Sequence, residues 1–149
     1  MAVMNLNNVL ITISGANITL PIVNMHTDGI TVAYSEDRAT AGAGTNGSGV
    51  TSTTVNTNGE ITINLHHGSP EIQEIIRMNN KQSEPGFALT ENGFTIKVND
   101  LNRNGIEATL KNGAIKSMPE FEMTDDRSEN AYEVVFIGQL VLRPGKNSI

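Results

Sequence analysis

The segment Gly59–Asn80 places the strongest constraint on the fold, because it joins one strand to one helix with almost no connection between them. Ile61, Ile63 and Leu65 alternate with polar residues, which is typical of a strand that buries one face. Gly68 interrupts this alternation directly before the sequence changes to the period of a helix. The segment therefore predicts a strand that leads at once into a helix covering one face of a sheet.

The helix begins with Ser69-Pro70-Glu71, residue types that are common at helix N-termini. We expect the serine hydroxyl to bond unpaired amides, the proline to fit the first turn and the glutamate to face the positive end of the helix dipole. Apolar residues then recur on one stripe of the helix, which we expect to pack on the sheet: Ile72, Ile75 and Ile76. Asn79 and Asn80 are predicted to end the helix, with Arg77 in its last turn.

The rest of the chain shows the alternation of strands and the Gly, Pro and Asn residues of turns, without a second helical pattern. Further strands are predicted at Val9–Ser14, Ile18–Leu20, Gly29–Tyr34, Phe94–Val98, Ile106–Leu110, Ala114–Met118 and Tyr132–Leu142. Asn112-Gly113 predicts a two-residue hairpin turn. The last strand is apolar on both faces, which predicts a central strand covered on both sides. The fold class is therefore mainly β (α+β): an antiparallel β-sandwich or barrel-like sheet with one flanking α-helix.

Composition supports one domain and excludes several classes of function. The length of 149 residues is enough for a single core, so residues 1–149 are treated as one domain. The net charge of −6 and the scatter of ten Lys and Arg residues argue against a surface that binds nucleic-acid phosphates. No cysteine is present, which excludes disulfide and thiolate chemistry. Neither a signal-peptide pattern nor a long apolar run is found, so we expect a soluble protein made in a cytoplasm.

Residues Ser35–Asn58 form a stretch of 24 residues that consists largely of Ala, Gly, Thr, Ser and Asn. So few apolar side chains cannot hold the stretch in one conformation by themselves. Val50–Val55 carries β-branched residues that could form a strand if another segment paired with them. We predict a long loop, which in a domain of this size is either functional or disordered.

The segment Glu120–Glu133 concentrates acidic residues around a single arginine, Arg127. Its carboxylates are Glu120, Glu122, Asp125, Asp126, Glu129 and Glu133. A solvated acidic loop is the default interpretation. The neighbouring sequence offers no apolar walls for a catalytic pair of acids, so we do not expect catalysis here.

Several short motifs imitate functional sites but lack the surrounding structure that such sites need. Gly42–Gly47 has the spacing G-x-G-x-x-G, yet residues hostile to a helix follow it, so a flexible loop is the better interpretation. Asp100–Gly105 copies the first half of a calcium loop, but Lys111 stands where the final Glu belongs, which favours a tight turn. Adjacent strand residues point to opposite faces, so His66 and His67 cannot share a metal and are interpreted as surface residues. We predict no catalytic residue, no cofactor and no metal site.

The order of the predicted parts carries more information than any part alone. The parts are paired N-terminal strands, a strand that ends near Tyr34, a Gly-rich loop with Asn46-Gly47, the strand Gly59–Leu65, the helix start Gly68–Glu71, a strand that ends at Asn99-Asp100, and a terminal strand. From about Val9 to Leu142, this order resembles the tail tube proteins of contractile-tailed bacteriophages. That family is similar to the tubes of R-type pyocins and type VI secretion systems.

The resemblance implies a structural protein and no enzyme. Its copies would form hexameric rings that stack into an inner tube inside a contractile sheath, and ring assembly would complete the sheet into a continuous barrel. Double-stranded genomic DNA would pass through the lumen during ejection without specific binding, which a net negative subunit favours. The implied partners are further copies of the chain, the tail sheath protein, the tape measure protein, the baseplate and the tail terminator, with no membrane. The implied location is the virion tail, after assembly in the host bacterial cytoplasm.

In such a tube we expect the long loop to contact neighbouring subunits, with Val50–Val55 adding to a neighbour's sheet through backbone hydrogen bonds. The predicted inter-subunit residues are Thr40, Gly42, Gly44, Asn46, Gly47, Gly49, Val50 and Val55. In an isolated subunit, we expect the same loop to be mobile. The acidic segment would meet either the sheath or the lumen, through Glu120, Glu122, Asp125, Asp126 and Glu129.

Two other classes of function stay open from the sequence. A β-sandwich that binds carbohydrate or acts as an adhesin shares the acidic, Thr- and Asn-rich composition. Such a module normally exposes aromatic rings, and this chain has only four Phe and two Tyr. A small hydrolase would need a nucleophile, a metal or a poised acid, and Ser48 and Ser69 lack the setting of a nucleophile.

Overall fold

A computed structural model describes residues 6–15, 18–23, 25–44, 47–85, 87, 93–125 and 130–145. A short 3-10 turn, Leu6–Asn8, precedes the first strand. The strands are β1 (Val9–Gly15), β2 (Ile18–Ile22), β3 (Met25–Tyr34), β4 (Ala39–Ala43), β5 (Gly49–Thr53), β6 (Asn58–His66), β7 (Phe94–Asp100), β8 (Ile106–Ser117) and β9 (Ala131–Pro144), and the helix α1 is Pro70–Gln82. The paired strands are antiparallel. The predicted fold class, mainly β with one flanking helix, is confirmed.

Seven strands form one sheet in the order β2-β1-β7-β8-β9-β6-β3, and β4 and β5 form a separate two-stranded sheet. The edges of the large sheet, β2 and β3, follow each other in sequence. Only two residues separate Ile22 at the end of β2 from Met25 at the start of β3, so their Cα atoms lie within about 11 Å of each other. The sheet therefore curls until its edges approach at this corner. In the described part of the chain β2 and β3 do not pair, which leaves an incomplete barrel.

One face of the curled sheet holds the core. The predicted alternation is visible in the burial of Ile11 and Ile13 on β1 and of Ile61, Ile63 and Leu65 on β6. The other strands add to the same cluster through Leu20, Ile22, Phe94, Ile96, Val98, Ala108, Leu110, Ile115, Tyr132, Val134, Phe136 and Leu140. Each large apolar side chain contributes roughly 1.5–3 kcal/mol when it is fully buried. This inner face is therefore the main source of folding free energy.

Helix α1 covers this core with one stripe of its surface. Ile72 and Ile75 are buried and Ile76 is half-buried, in the same cluster as the inner face of the sheet. Met78 is fully buried as well, although the isoleucine pattern did not indicate it. The helix thus buries one residue per turn against the sheet, as its period requires.

Side chains at both ends of α1 bind the backbone of sheet strands and their connections. Glu71, which is 3% exposed, accepts a hydrogen bond at Oε1 from the Val23 amide at 3.3 Å. The Gln82 side chain accepts from the Ile115 amide at 2.7 Å and donates to the Ile115 carbonyl at 3.1 Å. Because this contact fixes the last turn, the helix continues to Gln82 and does not end at Asn79-Asn80 as predicted.

Ser69 is the N-cap residue of α1, but its hydroxyl does not cap the helix as predicted. Its Oγ is buried and has no hydrogen-bond partner in the described structure. Pro70 has no amide hydrogen, and the Ile72 amide already donates to the Ser69 carbonyl at 3.2 Å. The first turn therefore has fewer amides that need a side-chain acceptor.

Strand β8 is continuous and contains Asn112-Gly113, the pair that the sequence assigned to a hairpin turn. β9 pairs with β8 both before and after this point, so the chain does not reverse there. The register shifts between Lys111 and Ala114, and Asn112 has a φ of 52°. The pair therefore forms a β-bulge, which uses the same tolerance of positive φ as a hairpin turn. The prediction of a turn is wrong for that reason.

Strand β9 lies inside the sheet, between β8 and β6, as its apolar sequence predicts. Its inner face is buried through Tyr132, Val134 and Phe136. On the outer face Val135 is 9% exposed but Ile137 is 38% exposed, because α1 packs against the inner face. The expectation that β9 is covered on both sides therefore holds at Val135 and fails at Ile137.

Residues 35–58, predicted as a long loop, contain the hairpin of β4 and β5. Ala39 pairs with Thr53 and Gly42 with Val50, so the β-branched stretch finds a strand partner within its own chain. Backbone pairing needs no core, and the small residues of β4 do not obstruct it. The stretch is therefore a hairpin with flanking loops and not a loop throughout, and Val50–Thr53 forms a strand because β4 pairs with it. The inter-subunit role stays a prediction.

Candidate functional site

The β4–β5 hairpin is exposed along both of its strands. The predicted inter-subunit residues lie along it: Thr40 and Gly42 on β4, Gly44 and Gly47 at the tip, Gly49 and Val50 on β5, and Val55 after β5, whereas Asn46 lies outside the described residues. Val50 is 56% exposed and Val55 is 97% exposed. The G-x-G-x-x-G spacing falls on this hairpin and not between a strand and a helix, which agrees with the interpretation against a dinucleotide site.

Arg38 fixes the base of this hairpin to the barrel. Its guanidinium lies over the ring of Tyr34, 4.6 Å from the ring centre, and donates a hydrogen bond to the Asn56 carbonyl. The Thr54 amide donates to the Arg38 carbonyl at 3.0 Å. These contacts join β3 to both strands of the hairpin base, so the hairpin leaves the barrel in a defined direction.

A groove of about 500 Å³ opens beside the start of α1. The helix forms one wall and Phe121–Met123 the other, and most of the lining is apolar: Pro70, Ile72, Ile76, Phe121, Met123 and Tyr132. Phe121 is 42% exposed and Met123 is 85% exposed. Ser69, with its unbonded Oγ, also lines the groove. Exposed apolar side chains grouped in one groove are a feature of a surface that a protein partner covers.

Tyr132 connects the groove with the core. Its hydroxyl lies 2.7 Å from Nδ1 of His67, and the ring of Phe121 packs edge-on against it at 5.2 Å between centres. His67 is therefore bonded to a buried residue, which corrects its interpretation as a simple surface histidine. His26 and His66 place their rings 5.0 Å apart across β3 and β6. Within the described residues, no group of three or more His, Cys, Asp or Glu could hold a metal ion.

The carboxylates of the acidic segment are exposed where the structure describes them. They are Glu120, Glu122, Asp125 and Glu133, whereas Asp126 and Glu129 lie outside the described residues. Glu122 accepts a hydrogen bond from the Asn130 side chain at 3.3 Å. Residues 119–125 contain no Lys or Arg. The segment therefore presents an acidic surface beside the apolar groove.

A second charged surface, positive and not predicted from the sequence, lies on the outer face of β7, β8 and β9. Lys97, Lys111 and Arg143 are exposed there. Lys97 on β7 pairs with Thr109 on β8, and Lys111 lies two residues after Thr109. Thr109 pairs in turn with Val141 on β9, and Arg143 lies two residues after Val141. Because residues two apart on a strand share a face, the register brings the three cations together. In the sequence they are scattered, so no local signal could have revealed them.

The side-chain carboxylate of Asp100 closes the turn after β7. Asp100 accepts hydrogen bonds at Oδ1 from the Asn102 amide at 3.0 Å and from the Asn102 side chain at 2.7 Å. This arrangement is a closed turn, which agrees with the interpretation against a calcium loop. Within the described residues, no helix is long and apolar enough to span a membrane.

Comparisons with known proteins reveal both a family and a fold. A family model described as bacteriophage PhiTE tail tube protein matches residues 1–139. A search of curated proteins found no match. The chain is similar to a solved PVC sheath–tube complex of an extracellular contractile injection system in the extended state, with a TM-score of 0.59 and 10% identity over 95% of this chain and 91% of that one.

Two structures of the anti-feeding prophage are similar as well. Its 6-fold symmetrised baseplate contains a chain with a TM-score of 0.54 and 12% identity, over 94% of this chain and 95% of that one. Its tube-terminating cap gives a TM-score of 0.53 and 10% identity, over 97% of this chain and 93% of that one. At such low identities these structures share the fold of the chain.

Proposed function

The chain belongs to the bacteriophage PhiTE tail tube protein family, and on this basis we propose that its copies form hexameric rings that stack into the inner tube of a contractile tail. As a member of this family it is a structural tail tube protein and not an enzyme. The family match covers the whole of the large sheet except the end of β9.

The exposed β4–β5 hairpin is the observation that supports the proposal most directly. A two-stranded hairpin is marginally stable alone in water, and the strand side chains of this one are all exposed. The outer edges of β4 and β5 offer backbone donors and acceptors, which a neighbouring sheet can pair without side-chain specificity. In the proposed tube, the hairpin packs against the next subunit and covers Val50 and Val55 there.

The unpaired seam of the barrel supports closure between subunits. Strands β2 and β3 are the two edges of the large sheet. Pro21 in β2 has no amide hydrogen and Asp28 is exposed near the start of β3, and both are residue types that protect an edge from indiscriminate pairing. In a ring, each open edge faces a neighbour, and the sheets of the subunits combine into one continuous barrel around the lumen.

The partners follow from the proposed place in the tail. The similar structures are described as a sheath–tube complex, a tube-terminating cap and a baseplate. We place this chain inside a sheath, between a baseplate and a terminator, with the tape measure protein and then double-stranded DNA in its lumen. Assembly takes place in the host bacterial cytoplasm, and the product is part of the virion tail.

Deletion of Thr40–Gly49 tests the proposal. We expect a folded subunit that no longer forms long tubes, because the deleted residues make no contribution to the core. Negative-stain imaging of purified protein measures tube length, and circular dichroism with thermal unfolding shows whether the barrel is intact. Tubes of normal length from the deletion variant would contradict the role of the hairpin. A wild-type protein that stays monomeric at high concentration would contradict the proposed function itself.

The carbohydrate-binding alternative gains no support from the described aromatic residues. Phe94, Phe136 and Tyr132 are buried, and the ring of Tyr34 is covered by Arg38. Phe121 is exposed in part but packs against Tyr132. A flat aromatic platform for a sugar ring is not formed by these residues.

A further inference from the structure

We propose that the acidic strap of one subunit, residues Pro119–Asp125, binds the cationic face of a second copy, formed by Lys97, Lys111 and Arg143 on β7, β8 and β9. The inference rests on the proposed function, because it names a contact by which tube subunits associate. It assigns a role to two surfaces that the single chain leaves uncovered.

The Lys and Arg residues of the cationic face have no carboxylate partner among the described residues of their own subunit. Most other described cations already have a partner: Arg77 pairs with Glu74, Lys81 with Glu84 at 3.3 Å, Lys116 with Glu60 at 2.5 Å, and Arg38 lies on Tyr34. Lys97, Arg103, Lys111 and Arg143 have no carboxylate within 4.0 Å among the described residues. All four lie on β7–β9 or on the turn between β7 and β8. The cations that remain unpaired are therefore gathered on one side of the molecule.

The cationic face is also suited to a contact by its shape and its apolar positions. It lies on the outer face of the sheet, where Thr109 and Val141 lie between the charges and the exposed Ile137 lies beyond Lys111. Glu107 is in register with Arg143 and is the carboxylate within this face. Three cations against one carboxylate leave a net positive surface, although the whole chain is acidic.

The acidic strap has the complementary composition. Glu120, Glu122 and Asp125 are exposed and alternate with Phe121 and Met123, which are exposed in part or almost fully. The groove beneath the strap contains the buried hydroxyl of Ser69 without a hydrogen-bond partner. A buried polar atom of this kind normally has a partner in a finished structure.

The two surfaces lie at different levels of β9 and so do not meet within one subunit. Phe121 of the strap contacts Tyr132 near the start of this strand, whereas the cationic face extends from the level of Gln139, which pairs with Lys111, to Arg143 near the end. Arg143 is eleven positions beyond Tyr132 in one continuous strand, which corresponds to about 36 Å. Complementary patches at opposite ends produce a head-to-tail contact, which closes into rings or continues as filaments and does not stop at a two-fold dimer.

Occupation by a second copy agrees with the proposed passage of DNA. On the lumen side of a tube, an uncovered cationic face would attract phosphates and slow the movement of DNA. The strap of the next subunit neutralises this face, so the assembled surface keeps the acidic character of the chain. The contact also has a measurable signature, because attraction between exposed charges weakens as salt screens them.

Reversal of charge on each side, alone and together, tests the contact. The strap variant is Glu120→Lys with Glu122→Lys, and the face variant is Lys97→Glu with Lys111→Glu. Each should reduce the assembled fraction at least about tenfold in low salt, because like charges then face each other. The combined variant with all four changes should assemble like wild type, since opposite charges meet again. Sedimentation velocity measures the assembled fraction, and thermal unfolding shows that each subunit is folded.

A matched control separates this contact from an effect of net charge. Arg77→Glu with Lys81→Glu makes the same change in charge as the face variant, but on the surface of α1. It should assemble like wild type, and equal disruption by this control would overturn the inference. The inference is also overturned if both reversed variants assemble normally, or if the combined variant does not recover. Wild-type protein that forms no rings or tubes would instead contradict the proposed function, and the contact with it.

Discussion

Ser69 and Glu71, at the start of α1, differ in how much they should contribute to the stability of the subunit. Ser69 has the extended backbone of an N-cap residue, with φ −69° and ψ 142°, but its buried hydroxyl has no partner in the described structure. Glu71 connects the helix with the barrel through the Val23 amide. A bonded carboxylate stabilises the fold, whereas a buried hydroxyl without a partner does not. The subunit should therefore depend on Glu71 more than on Ser69.

Ser69→Ala should change the free energy of unfolding of the subunit by less than about 0.5 kcal/mol or raise it, because no hydrogen bond is lost. The matched variant Glu71→Ala should lower it by about 1–3 kcal/mol, since the Val23 amide loses its acceptor. Urea unfolding followed by circular dichroism gives both values. A loss above about 1 kcal/mol for Ser69→Ala, the usual cost of removing a helix cap, would show that the hydroxyl caps the helix after all.

Ile75→Ala should lower the free energy of unfolding by about 2–5 kcal/mol, because Ile75 is fully buried between α1 and the sheet and its truncation leaves a cavity. Ile76 lies one position further along the same helix and is only half-buried. Ile76→Ala should therefore cost clearly less, and it serves as the control. Equal losses for the two variants would mean that the helix is rotated from the orientation described here.

Among the elements, the β4–β5 hairpin combines exposed strands with a fixed base. Arg38→Ala removes the contact with Tyr34 and the hydrogen bond to Asn56. A cation–π contact at an exposed site is worth about 0.5–1 kcal/mol, so amide exchange in β4 and β5 should accelerate severalfold. Tube length should fall while the melting temperature of the barrel stays the same. Arg77→Ala, which removes an exposed arginine from α1, should affect neither quantity.

Elements with a strong period could be predicted from the sequence. The alternation of Ile61, Ile63 and Leu65 and the stripe of Ile72 and Ile75 correspond to the structure because burial on one face selects those spacings. Asn112-Gly113 was misinterpreted because a bulge and a hairpin turn use the same backbone conformation, and only the pairing with β9 distinguishes them. For β5 the sequence predicted a strand only if another segment paired with it. Its partner β4 was not predicted, because backbone groups carry the pairing and leave little trace in side-chain patterns.

For the whole molecule, the surfaces were harder to predict than the core. The acidic segment was visible in the sequence because its carboxylates lie close together along the chain. The cationic face was not, because Lys97, Lys111 and Arg143 become neighbours only through strand register. The apolar groove likewise requires α1 and Phe121–Met123 to meet in space. Contacts between subunits thus depend on tertiary arrangement, which a one-dimensional pattern does not contain.

The position of β9 in the sheet also determines when, during synthesis, a subunit becomes able to polymerise. The chain is made from its N-terminus, and without β9 the strand pairs of the sheet fall into two separate groups, β2-β1-β7-β8 and β6-β3. β9 pairs with both β8 and β6 and so unites them. It also carries Tyr132 beside the groove and Arg143 on the cationic face. A ribosome-bound chain that lacks β9 therefore has neither proposed contact surface complete, and we expect the proposed tube to grow by adding finished subunits only.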